Sequence, residues 1–488
     1  MEYNVIINEL INYGIVNNLC EEIDAIYLGN RIIDILKLNS FKRDAMNENV
    51  RPLDAILFDL QEIAINNNVI SGKLLERDHF DTIIMNLLTP MPREVNFRFD
   101  EFYRLSPVLA TDYLYKLSIN TNYVRKERNS LDLEWKSPSK YGDLILSINL
   151  SKPEVDPNEI DYFKNLERGK TKYPKCMLCK ENVGYSGSIL SNQNTNMRII
   201  DLKLDGDNFY LVYSPYSYYS EHCHIVSDTH APMEINHKTF LRLLDFVDKF
   251  PHYFIGSNAD LPIVGSSVLN HEHYKGGRYD FPIYNALPRV TKYVNGVKFE
   301  LLNWPLTTFK LTSPSKEDIV SMADKIYDKW IKYTNKSLNI IGFGNCNHNT
   351  ITPIVRKVNN EYIMYIALRN NHIDEKHPYG IFHPDKSLHH IKKENVGVIE
   401  VMGMAILPGR LNKELEILRK ILNNVLDESH LSEIPLHQDW YYSLKGRSYR
   451  EKDLQNEVGK KFERILESCN VFKYASIEDV LDFMDSIC

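Results

Sequence analysis

The sequence predicts an α+β fold that opens with an N-terminal helical region, on three observations. Apolar residues recur at helical spacing through residues 1 to about 90. Period-two alternation, the mark of a half-buried strand, first appears around Leu144. Beyond it, strand-like and helix-like segments interleave to the end of the chain, in two stretches of similar element order and without a short tandem repeat.

The elements follow in order. Ile6, Leu10 and Tyr13 set the N-terminal helical period, which Pro90 and Pro92 interrupt. Leu144, Leu146, Ile148 and Leu150 alternate as a strand, closed by Pro153 and Pro157. A second strand, Phe209 to Tyr213, precedes an aromatic turn at Pro215. Phe240, Leu243, Leu244, Val247 and Phe250 mark one face of a helix that Pro251 stops. Tyr253 to Ile255 reads as a short strand, and Gly256 to Gly277 as a long polar stretch without helical period. Ser315, followed three residues later by Asp318, resembles a capping box for a helix faced by Ile319, Met322, Ala323, Ile326 and Trp330. Tyr362 to Leu368 and Val396 to Val401 read as strands, and Leu411, Leu415, Leu418, Leu422 and Val425 as a helix face.

At 488 residues the chain exceeds one ordinary core, so two or three domains or a pseudo-repeated domain are expected. We divide it into a mainly helical region 1–140, two α/β halves 141–300 and 301–440, and a helical tail 441–488. With 58 Lys+Arg against 65 Asp+Glu, a net charge of −7 argues against a broad nucleic-acid surface, while a local basic pocket for a phosphorylated ligand remains open. No apolar run approaches the ~20 residues that span a bilayer, and Met1-Glu2-Tyr3-Asn4 lacks the basic start of a secretory signal, so no membrane partner and a cytoplasmic location are expected. Seven thinly spread cysteines make a poor disulfide framework.

Two constellations carry chemistry. Cys176-Met177-Leu178-Cys179 has the spacing of a metal clasp, with histidines at 222, 224, 230, 271 and 273 as candidates to complete a tetrahedron; a redox dithiol and two unrelated thiols are the competing readings. The second is His271-Glu272-His273-Tyr274-Lys275-Gly276-Gly277. In extended backbone His271 and His273 project together and Glu272 oppositely, so one histidine is free to ligate metal while the other does chemistry. Lys275 places a positive charge where phosphate oxygens would lie, and Gly276 and Gly277 are expected to let backbone approach a bulky anion. A surface loop with two ordinary histidines is the bland alternative. His383, His389 and His390 match no zinc spacing, and Lys392-Lys393 reads as a solvated face or a phosphate contact.

Taken together, ordered segments across most of the chain resemble the Gram-positive-type branch of the hexose-1-phosphate uridylyltransferases, in the histidine-triad superfamily. They include Tyr141-Gly142-Asp143, Tyr173-Pro174-Lys175-Cys176, Glu221-His222-Cys223, Phe250 through Pro262, His271-Glu272-His273, Gly380 through Pro384 and His389 through Asn395. The resemblance implies two histidine-triad-like antiparallel-sheet halves flanked by helices. It implies that His273 is the nucleophile, that Cys176, Cys179, His230 and His271 hold a structural zinc ion, and that His222 and His224 compete for the place of His230. It further implies that Asn258, Ser266 and Ser267 contact nucleotide and phosphates, and that Lys393 and Glu400 belong to a hexose-binding segment. UDP-glucose or UDP-galactose, hexose-1-phosphates and a homodimeric partner follow as expectations. Two positions depart from the pattern: Lys275 stands where relatives usually carry Gln, and Ser188 where they commonly carry Arg. These departures keep two other readings in view, a nucleotide phosphorylase or hydrolase of the same superfamily and a diverged non-catalytic binding protein.

Overall fold

The computed structural model describes residues 2–151, 173–187, 189, 195–266, 268–344 and 346–488. Six helices open the chain: α1 (Glu2–Val16), α2 (Ala25–Ile35), α3 (Leu53–Asn66), α4 (Leu74–Leu88), α5 (Pro92–Leu105) and α6 (Pro107–Asn120). Pro92 begins α5, where its missing N–H leaves no unmet donor, so the proline pair divides the helical region and does not end it. The first strands are β1 (Leu133–Ser139) and β2 (Gly142–Asn149), which places the change to β-structure ahead of Tyr141. Pro153 and Pro157 lie outside the described residues.

Among the described residues, ten strands form one continuous sheet. They are β3 (Ile200–Leu204), β4 (Asp207–Tyr213), β5 (Cys223–Ser227), β6 (Phe254–Gly256), β7 (His273–Gly277), β8 (Pro288–Val294), β9 (Val297–Leu302), β10 (Thr308–Ser313), β11 (Asn349–Val358) and β12 (Glu361–Asn370). Their order is β3-β4-β5-β7-β6-β11-β12-β10-β9-β8, with antiparallel neighbours throughout. Read from either edge, each half runs through three sequential strands and then exchanges the last two. Helix α7 (His237–Lys249) falls between β5 and β6, and α8 (Lys316–Lys332) between β10 and β11, so both halves share one element order. The halves meet where β6 pairs with β11.

Alternation along the strands divides the core. Ile225, Ile255, Tyr274 and Val355 face the side packed by Phe240, Leu243 and Val247 of α7 and Ile319, Ala323 and Ile326 of α8. Ser315 caps α8, its Oγ accepting from the Asp318 amide at 3.1 Å. Phe254, Ile354, Tyr365 and Ala367 join the opposite core. That side carries a second sheet, in which β13 (Met404–Pro408) runs parallel to β2. The helices α9 (Arg410–Leu422), α10 (Gln438–Leu444), α11 (Glu451–Ser468) and α12 (Ile477–Asp485) complete the chain.

Two sequence readings are corrected. Val396–Val401 is not a strand: Gly397 opens one helical turn, Val398–Val401, and the strand is β13 beyond it. The polar stretch 256–277 is not irregular throughout, since its last five residues are β7. No helix among the described residues is long and apolar enough to cross a membrane.

Candidate active site and metal centre

The turn carrying Cys176 and Cys179 is held by buried Asn182, whose Nδ2 donates to both cysteine carbonyls at 3.0 and 2.7 Å. His230 follows β5 and His271 precedes β7, adjacent strands whose ends bring both rings to that turn. Cys176 Sγ lies 3.5 Å from Cys179 Sγ and 3.3 Å from His271 Nδ1, and Cys179 Sγ lies 3.1 Å from His230 Nδ1. A tetrahedral zinc site with two thiolates and two imidazoles has ligand–ligand edges of roughly 3.3–3.8 Å; the other two sulfur–nitrogen distances are both 3.7 Å and only the Cys179–His230 edge is shorter, so the donor set fits one with a small adjustment there. His271 Nε2 donates to the Ser227 carbonyl at 2.9 Å, which turns the Nδ1 lone pair toward the thiols. Of the three histidines competing for this place, His230 joins the cluster; His224 lies within β5 and His222 just before it, outside the cluster.

His273 begins β7 and is buried. Its Nδ1 contacts the His271 carbonyl at 2.9 Å. A carbonyl only accepts, so the proton sits on Nδ1 and Nε2 keeps an in-plane lone pair. Burial, opposed by the hydrogen bond to the His271 carbonyl but aided by the nearby Lys275 charge, pushes the His273 pKa down to about 4, so the ring is neutral at pH 7. Glu272 turns to the opposite face, as alternation predicts. There Arg242 of α7 and the Tyr274 hydroxyl donate to its Oε1 at 2.6 and 2.9 Å. Burial raises the Glu272 pKa although Arg242 and Tyr274 oppose it.

Lys275 shares the His273 face, and burial holds its pKa below the ordinary lysine value while Glu400 partly offsets this. Glu400 arrives on the turn Val398–Val401, its carboxylate 3.1 Å from Lys392 Nζ and accepting from the Gly397 amide at 2.9 Å. Burial opposes ionisation there, but Lys392 and Lys275 keep the Glu400 pKa below its usual range. Asn258 Oδ1 accepts from the Val398 amide at 2.9 Å, which ties the loop after β6 to this turn. Gly265 makes the tie possible: its φ is +89°, and a Cβ would lie 2.1 Å from the Val396 carbonyl.

Asn258, Lys275 and Glu400 are thus brought near His273, whereas Lys393 is exposed with its ammonium over the Tyr379 ring. Its neighbour Lys392 faces the site. Ser266 is half-buried, its hydroxyl 3.4 Å from the Val268 carbonyl; Ser267 and Ser188 lie outside the described residues. At Gly276 and Gly277 the missing side chain leaves room for neighbouring backbone. A Cβ at Gly276 would meet the Phe254 carbonyl at 3.0 Å, and one at Gly277 the Glu221 carbonyl at 2.7 Å. The sequence did not single out Arg242, and it offered His224 only as a competing metal ligand and Lys392 only as one of a lysine pair. Adjacency alone cannot choose between the members of that pair.

A family model described as galactose-1-phosphate uridyl transferase, N-terminal domain, matches residues 18–232, and one described as the C-terminal domain matches residues 246–435. A galactose-1-phosphate uridylyltransferase of Clostridium perfringens is 43% identical over 481 residues, covering 96% of each chain. One of Bacillus subtilis is 39% identical over 485 residues, covering 96% of this chain and 94% of its own. Among solved structures, yeast Ap4A phosphorylase Apa2 is similar at a TM-score of 0.34 and 13% identity, covering 66% of this chain and 93% of that one. The matches define an enzyme of the transferase class. More narrowly, the chain belongs to the galactose-1-phosphate uridylyltransferase family.

Proposed function

We propose that the protein exchanges UMP between UDP-glucose and galactose-1-phosphate in two displacements, through a uridylyl group held on His273 Nε2. The observation that carries this reading is the Nδ1 contact to the His271 carbonyl, which leaves a neutral ring with a bare Nε2. In the first displacement Nε2 attacks the α-phosphorus as the bond to the departing glucose-1-phosphate oxygen breaks. In the second, a galactose-1-phosphate oxygen forms the new bond to phosphorus and the electron pair returns to Nε2. Glucose-1-phosphate leaves as an anion stable at neutral pH, and His273, protonated on Nδ1, leaves as a neutral imidazole, so no strong general acid is needed, and the protein chiefly positions and neutralises charge.

Asn258, Ser266, Ser267, Lys275 and Glu400 are the substrate contacts in this reading, with Lys392 in place of Lys393. Cys176, Cys179, His230 and His271 would hold zinc. Bound there it supplies a structural clamp, and His271 would pass that rigidity to the carbonyl that orients His273. The reading places the enzyme in the cytoplasm as a homodimer, with transfer in 141–300 and hexose recognition in 301–440.

Incubating the protein with UDP-glucose and galactose-1-phosphate should yield UDP-galactose and glucose-1-phosphate in equal amounts. Nucleotide release to inorganic phosphate or water, without UDP-galactose, would instead assign a phosphorylase or hydrolase. UDP-glucose binding without turnover would assign a non-catalytic role.

A further inference from the structure

The metal cluster takes His230 and His271 and leaves His224 without a metal role. His224 lies on β5, the strand beside the one that carries His273. In the β5–β7 register Val226 stands opposite His273 and His224 stands opposite Lys275. Directly opposed residues of antiparallel strands share a face, so the imidazole of His224 and the ammonium of Lys275 flank the nucleophile together. The His224 and His273 ring centroids are 5.9 Å apart, and His222 stands behind at 5.1 Å from His224. On the other side of β7, Lys275 is opposite Gly256, which adds no side chain to that face.

These groups have donors the protein does not use. His224 Nδ1 is buried without a hydrogen-bond partner, and among the described residues no group bonds its Nε2. A buried orphan N–H is rarer than a buried orphan acceptor, so the proton belongs on Nε2. Lys275 Nζ makes no hydrogen bond or ion pair among the described residues, whereas neighbouring Lys392 is matched by Glu400. Two unmatched donors beside a nucleophile that receives UMP suit the anion that takes UMP away, a phosphate monoester dianion.

We propose that His224 and Lys275 form the acceptor-phosphate subsite, donating from imidazole Nε2–H and ammonium to the oxygens of the hexose phosphate that do not attack. The assignment rests on the uridylyl-His273 reading. In the step it serves, one acceptor oxygen forms the new P–O bond, the P–Nε2 bond breaks with its electron pair returning to His273, and no proton changes hands. Water, the alternative acceptor, carries no phosphate and makes no use of this subsite.

That difference is the test. Uridylyl-enzyme is prepared from UDP-glucose, freed of nucleotide, and its decay followed in buffer alone and with galactose-1-phosphate. His224→Leu removes the donor at similar bulk, and His224→Gln retains one. For His224→Leu, kcat/KM for galactose-1-phosphate should fall about 10- to 100-fold, the range for a lost hydrogen bond to a charged group, while decay in water changes less than about twofold. His224→Gln should recover part of the loss. Equal loss toward both acceptors, or none toward either, would overturn the subsite. Failure of the wild type to form uridylyl-enzyme would overturn the functional reading instead. Calorimetric binding of galactose-1-phosphate to the unmodified protein then decides the subsite separately: weaker binding by His224→Leu supports it, and equal binding refutes it.

Discussion

Replacing Arg242 by Met should expose how the segment between the two histidines is held. Arg242 Nη1 bonds Glu272 at 2.6 Å and Nη2 bonds Asp207 at 2.6 Å, while its guanidinium lies 5.2 Å from the Phe209 ring centroid. Removing one partner of a fully buried pair costs about 3–5 kcal/mol, because the other charge is stranded. Arg242 and Glu272 keep 11% and 13% side-chain exposure and Asp207 keeps 39%. Solvent therefore screens part of the loss and makes the Asp207 contact minor, which brings the expected cost to about 2–3 kcal/mol.

The pH dependence has a definite sign. Burial already raises the Glu272 pKa, and loss of Arg242 raises it further. A carboxyl with a raised folded-state pKa favours the folded state only while protonated, and that contribution is lost as pH rises through the folded pKa. The Arg242→Met penalty should thus be full at neutral pH and shrink as pH falls toward the ordinary glutamate range. Urea unfolding at several pH values measures it. Adding Glu272→Gln should recover about 1–2 kcal/mol, because the stranded charge is gone. A penalty under about 0.5 kcal/mol that does not vary with pH, and is not relieved by Glu272→Gln, would refute the reasoning.

Removing metal with a strong chelator should lower the melting temperature, and Cys179→Ala should melt like the chelated wild type with no further response to chelator; elemental analysis should find about one zinc per chain in the untreated protein. Ser315→Ala should cost about 1 kcal/mol in urea unfolding, since the Asp318 amide loses its cap. Lys275→Gln should raise the Kd for UDP-glucose measured by calorimetry, because a charged donor to phosphate becomes neutral; an unchanged Kd would remove Lys275 from the phosphate contacts.

What could be read in the sequence followed local periodicity. The stripe of Phe240, Leu243, Leu244 and Val247 gives α7 and its buried face, Ser315 gives the start of α8, and Cys176 with Cys179 gives half of the candidate metal-binding cluster. What could not be read depends on pairing across the sheet. Val396–Val401 is apolar apart from Glu400 because all sides of a short turn are buried, and such a run has no period to separate turn from strand. β13 pairs in parallel with β2, more than 250 residues earlier in the chain, and nothing local marks that partner. His224 joins His273 through the β5–β7 register, and Gly276 is explained by the carbonyl of Phe254 on the neighbouring strand. The ligand set needed the same information: His222, His224 and His230 are equivalent in sequence until β5 and β7 are aligned.

The most direct test is mass spectrometry of the protein after incubation with UDP-glucose. A covalent addition of UMP mass that maps to His273, and is absent from folded His273→Ala, is the predicted result. The same addition on another residue, or transfer activity retained by His273→Ala, would contradict the central role given to Nε2 of His273.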